Sequence, residues 1–165
     1  MRTAVIAVVL GVIILVVFLG SQQRRANERR EREERVEKVV PELMLLDNKC
    51  VELAGRGDLT LEWTGNRDIK SDERQAVEAA QAKLAKVTAD IPTLRAWLAE
   101  VAAFCSRAVD PREGKLASAG EGHRERLARQ RSAAELEWGM AYQRGKAAAD
   151  REISRLEAEA DERSR

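Results

Sequence analysis

The residues in this 165-residue chain whose types could do chemistry are few: Cys50, Cys105 and a single histidine, His123. Two thiols and one imidazole, with no CxxC or HxxxH spacing, are too few for a zinc site. The same scarcity removes a Cys-His nucleophilic pair. No phosphate-cradling glycine loop, dinucleotide fingerprint, nucleophile elbow or HExxH helix occurs. Carboxylates abound, but on charged helices they are expected to be solvated or paired with arginine. Gly120-Glu121-Gly122-His123 reads as linker, and Trp63, Trp97 and Trp138 as packing residues. Arg56-Gly57-Asp58 spells an adhesion tripeptide that arises often by chance and is assigned no function. No cofactor and no catalytic residue are expected. Lys+Arg 29 against Asp+Glu 28 lacks the basic excess of a general nucleic-acid binder, so nucleic acid is not an expected partner.

The elements that would carry these residues are helical. Charged residues make up 35% of the chain and aromatics 4%, and Ala, Glu, Arg and Leu dominate, as in long helices. Val36, Val39, Leu43, Leu46, Cys50 and Leu53 recur at alternating steps of three and four, the spacing of a helix that packs on another helix. Gly55 is expected to end that helix, and residues 55–70, with three Gly and an Asn, read as a loop. Ser71 is a suitable N-cap for the next helix. From there the strongest seam runs through Val77, Leu84, Val87, Ile91, Leu94, Leu98 and Val101 to Cys105. Pro92 interrupts it, so residues 71–109 form one kinked helix or two helices meeting in a tight turn. Residues 110–120 read as linker, and residues 121–165 as a charged amphipathic helix.

The N-terminus has a different character. Ala4 to Leu19 is an unbroken apolar run of sixteen residues, AVIAVVLGVIILVVFL. At 1.5 Å per residue it spans roughly 24 Å, slightly short of the hydrocarbon core, a mismatch of modest cost. Val17, Phe18 and Leu19 stand where a cleaved leader would want small residues, so residues 1–21 are expected to be an uncleaved transmembrane anchor in a lipid bilayer. Only Arg2 precedes the run, whereas Arg24, Arg25, Arg29, Arg30, Arg32, Arg35 and Lys38 follow it. Lys/Arg asymmetry therefore predicts the N-terminus outside and the C-terminal region in the cytoplasm. Arg24, Arg25, Arg29 and Arg30 form a basic stripe placed to meet lipid head groups. Interleaved acids suggest i,i+4 pairs such as Glu28–Arg32, Glu31–Arg35 and Glu34–Lys38.

Cys50 and Cys105 both occupy seam positions, and their pairing depends on Pro92. With a straight second helix, Cys105 lies roughly 45 Å from Cys50, beyond any disulfide within the chain. If the chain reverses at Pro92, Cys105 returns to within about one helical turn of Cys50 and a bridge becomes feasible. A bridge between two subunits is open as well. A disulfide needs an oxidising compartment, which conflicts with the cytoplasmic placement, so reduced thiols are the expectation.

The expected fold is thus all-α. A single N-terminal transmembrane helix (residues 1–21) precedes a juxtamembrane charged helix and first seam helix (22–54). A coiled-coil-like hairpin or small helical bundle follows, then the C-terminal helix. The expected function is that of a membrane-anchored scaffold or interaction protein without catalytic activity, binding a protein partner or itself through its seams. The alternative is an extracytoplasmic, envelope-spanning protein of opposite orientation, such as a phage lysis accessory.

Overall fold

A computed structural model describes the backbone of residues 2–163 and the side chains of residues 18–116 and 120–163. Four helices account for the described chain, and no strand occurs among the described residues: α1 (Arg2–Thr64), α2 (Ser71–Thr88), α3 (Pro92–Ala108) and α4 (Ala117–Arg163). Contacts divide the chain into two units, Met1–Glu34 and Arg35–Arg165.

The first unit is the N-terminal part of α1. The backbone of the apolar run is helical, but the side chains of residues 4–17 lie outside the described residues. Among the described residues no helix is long and apolar enough to cross a membrane. Arg24, Arg25, Arg29 and Arg30 are all exposed, and Arg29 pairs with Glu33 one turn on at 3.2 Å.

The second unit holds the core. Val36, Val40, Leu43, Cys50 and Leu53 of α1 are fully buried, as their spacing requires. Helix α1 passes through Pro41. Buried Val39, Val40, Leu43 and Met44 hold the chain on either side, which offsets the roughly 3 kcal/mol that an interior proline costs. Arg35, expected to pair with Glu31, instead reaches Asp90 at the α2–α3 turn through two hydrogen bonds of 2.9 and 2.8 Å.

Pro92 marks a reversal. Ile91 is extended (φ -120, ψ 94), Pro92 opens α3, and the Ile91 N–H donates to Thr88 O at 3.0 Å. This is the expected behaviour of a residue before proline and of proline in a first helical turn. The seam residues Val77, Leu84, Ile91, Leu94, Leu98 and Val101 are buried, and Val87 packs half-buried against them.

Two boundaries differ from the sequence reading. Helix α1 does not stop at Gly55; it continues to Thr64, where Gly65 (φ +74) closes it and donates its N–H to Leu61 O. The glycines in GRGDLTLEWT disfavour a helix by about 1 kcal/mol each, but tertiary contacts hold this turn in place. Leu59 and Trp63, expected in an extended piece packed over the helix ends, are instead helical and exposed. Helix α4 likewise begins at Ala117, inside the expected linker. The Leu116 N–H donates to both oxygens of Asp58 at 3.0 and 2.9 Å, so a carboxylate from α1 caps α4 from outside.

Helix α4 is also not one continuous rod. Gly139 has φ 44 and ψ -111, a conformation that an L side chain rarely adopts. The chain reverses there. Trp97 of α3 meets Arg131 before the bend and Tyr142 after it. Gly145 then lies against Val40 of α1, and Arg144 pairs with Glu37 at 2.7 Å.

Candidate functional site

Three polar clusters and one groove occupy the second unit, and each is built by residues far apart in the chain.

The first cluster centres on His123, which α4 buries to 1% exposure. Its Nε2 lies 2.8 Å from Asp47 of α1, and its Nδ1 lies 3.2 Å from Glu100 of α3. Arg131 and Arg126, from the same helix as His123, bond the same two carboxylates at 3.3 and 2.9 Å. Phe104 stacks on the imidazole at 4.1 Å between centroids. A carboxylate only accepts, so both ring contacts are hydrogen bonds when each nitrogen carries a proton. The imidazole is then a cation held between two anions, with neither nitrogen free to serve as a base. Its two nitrogens address different carboxylates, and among the described residues no group of three or more His, Cys, Asp or Glu is placed to hold a metal ion. The cluster thus clasps α1, α3 and α4 together. Its His123 was expected in a linker; a lone histidine in a glycine-rich stretch carries no spacing that announces burial.

The second cluster explains why α1 continues past Gly55. Arg67, in the α1–α2 loop, has a fully buried side chain and pairs with Asp58 at 2.8 Å. It also donates to the carbonyls of Gly114 at 3.0 Å and Ala108 at 3.2 Å. Its guanidinium lies so close over Gly57 that a Cβ there would sit 2.4 Å from Nη2. Arg56 pairs with Glu73 of α2, whose carboxyl is held below its usual range chiefly by that guanidinium. All three residues of the Arg56-Gly57-Asp58 tripeptide therefore serve contacts within the chain.

The third cluster is covalent. Cys50 of α1 and Cys105 of α3 form a disulfide, with Cα atoms 5.1 Å apart and both residues fully buried. This corrects the expectation of reduced thiols. The reversal at Pro92 brings Cys105 back beside α1, the one geometry in which a bridge within the chain is feasible.

The groove lies beside these clusters, with a volume of about 1120 Å³. Met44, Val51 and Leu59 of α1 form one wall, Leu127 of α4 the other, and Ile153 borders it from beyond the Gly139 reversal. Asp47 and His123 also reach its surface. Val51 and Leu59 remain 48% and 60% exposed, and Trp63, expected to pack, is 86% exposed.

Of the residues singled out in the sequence, the seam set is brought together but is used up inside the chain. A partner therefore has to meet another surface. The basic stripe belongs to the other unit and shares no contact with the clusters described here. No known protein family, curated protein or solved structure matches this chain.

Proposed function

We propose that this chain is a membrane-anchored helical scaffold without catalytic activity, whose folded part lies on the oxidising side of the membrane. Three observations support the reading. The apolar run Ala4–Leu19 has the length and character of an anchor. The polar clusters of the second unit are engaged in holding helices together, and the imidazole has no free nitrogen for proton transfer. The buried Cys50–Cys105 disulfide carries the placement, because such bridges persist in oxidising compartments and are rare in the cytosol. This favours the extracytoplasmic alternative over the cytoplasmic placement drawn from charge. Lys/Arg bias governs short flanking segments, whereas long domains translocate largely regardless of charge.

A specific observation favours a second reading. The seven basic residues between Arg24 and Lys38 support a cytoplasmic scaffold with the same anchor and reduced thiols.

The anchor is tested by alkaline carbonate extraction of membranes from cells expressing the full chain and a variant lacking residues 1–21. The full chain is expected in the pellet and the variant in the supernatant. Release of the full chain by carbonate contradicts the anchor. The side of the membrane is tested by external protease on intact cells: loss of residues 35–165 supports the extracytoplasmic placement, and protection supports the cytoplasmic one.

A further inference from the structure

We propose that the groove between α1 and α4 binds a single long-chain anionic amphiphile of the fatty-acid type, with its acyl chain along α1 and its acidic head at Arg124. The proposal goes beyond the scaffold reading and does not rest on the anchor.

The shape of the groove selects an extended chain. Its α1 wall runs from Met44 to Glu62, which is about 27 Å at 1.5 Å per residue. Spread over that length, about 1120 Å³ gives a channel roughly 7 Å across, against 10–12 Å for an α-helix with its side chains. An acyl chain fits such a channel and a helix does not.

The lining selects an apolar body. Val51, Leu59, Leu127 and Ile153 face the groove, and the first two stay about half exposed with nothing covering them. The polar groups in the walls are already engaged. Asp47 accepts from His123 and Arg131, Asp58 from Arg67 and the Leu116 N–H, and Glu62 from Lys115. A ligand seated here meets no hungry acceptor along its length, which suits methylenes.

One cation is left for the head. Arg124 lines the groove and has no ion-pair or hydrogen-bond partner among the described residues. A guanidinium at the margin of an apolar channel is matched by a carboxylate, which it can bind through two parallel hydrogen bonds.

The test uses the full chain in phosphatidylcholine nanodiscs, a palmitic acid probe carrying a diazirine at its far end, and adduct mapping by mass spectrometry. Adducts are expected on groove residues such as Met44, Val51 and Ile153. Val51→Trp fills the channel from a half-exposed position, so it is expected to fold normally and to lower groove capture about tenfold. Arg124→Glu is expected to abolish the preference for the acid over its methyl ester while leaving the helical content unchanged. Adducts confined to residues 1–21, or capture unaffected by Val51→Trp, would overturn the channel. Equal capture of acid and ester by the unsubstituted chain would overturn the assignment of the head. A failed anchor would leave all three readouts intact, which separates this proposal from the scaffold reading.

Discussion

Replacing both Cys50 and Cys105 by Ala removes a cross-link between residues 55 apart in the chain. The loss acts on the unfolded state, which regains the conformations that the closed loop forbids. With the chain-entropy relation, a loop of that length corresponds to about 14 cal/mol/K, or about 4 kcal/mol at 25 °C. The side chains themselves are small and buried, so Ala at both positions leaves little cavity to add to that figure. Urea unfolding followed by circular dichroism, on the oxidised chain and on the double variant, measures the difference. A loss of 3–5 kcal/mol is expected, on the order of half the stability of an ordinary domain. Reducing the unsubstituted chain should reproduce it. A difference below about 1 kcal/mol would mean that the unfolded chain is already constrained, or that the bridge does not form in solution.

Other perturbations separate the clusters. Asp58→Asn leaves the buried Arg67 guanidinium without its counter-charge and is expected to cost about 3–5 kcal/mol in urea unfolding. Gly145→Ala places a Cβ 2.8 Å from Val40 Cβ and 3.0 Å from Glu37 O, and overpacking of that kind costs about 1–3 kcal/mol. Gly55→Ala meets nothing within 4 Å in the same helix that faces Gly145, and is expected to stabilise by about 1 kcal/mol through helix propensity alone. Opposite signs for these two alanines in thermal melts check the register of α1 against the returning part of α4. Leu84→Lys and Leu98→Lys, at 1% and 6% exposure, each bury an unpaired charge and are expected to unfold the second unit. Glu73 has its carboxyl held low by Arg56, so the stability from that pair is present above the unfolded carboxyl range, near pH 4.3, and is lost as pH falls through the lower folded value. Glu73→Gln should therefore flatten the acid limb of the stability–pH profile and leave its alkaline limb unchanged.

The helical class and the seams were legible because they rest on periodicity, which is local. Val77, Leu84, Ile91, Leu94, Leu98 and Val101 alternate by three and four and are buried. Pro92 was legible as a break, and the structure selects the two-helix option. The end of α1 was misread because Gly55, Gly57 and Gly65 look alike in sequence. Only Gly65 has the positive φ of a terminator, whereas Gly57 makes room for an arginine ten residues later. That arginine, its partner Asp58 and the cap on Leu116 join three separate segments, and no local pattern marks such a junction. His123 was invisible for the same reason: Asp47 lies 76 residues away and Glu100 lies 23 away. Gly139 carried a weak signal, a glycine inside an apolar helical pattern, and proved to be where the chain turns back.

The central claim, a disulfide-closed helical domain outside the cytoplasm, is tested most directly by thiol labelling of the full chain in cells. A membrane-impermeant maleimide is added before and after permeabilisation, with and without reductant under denaturing conditions that open the buried pair. The account predicts no labelling of Cys50 or Cys105 until an impermeant reductant has been applied, and then labelling of intact cells. Labelling that needs permeabilisation but no reductant would contradict it, placing the domain in the cytoplasm with its thiols reduced.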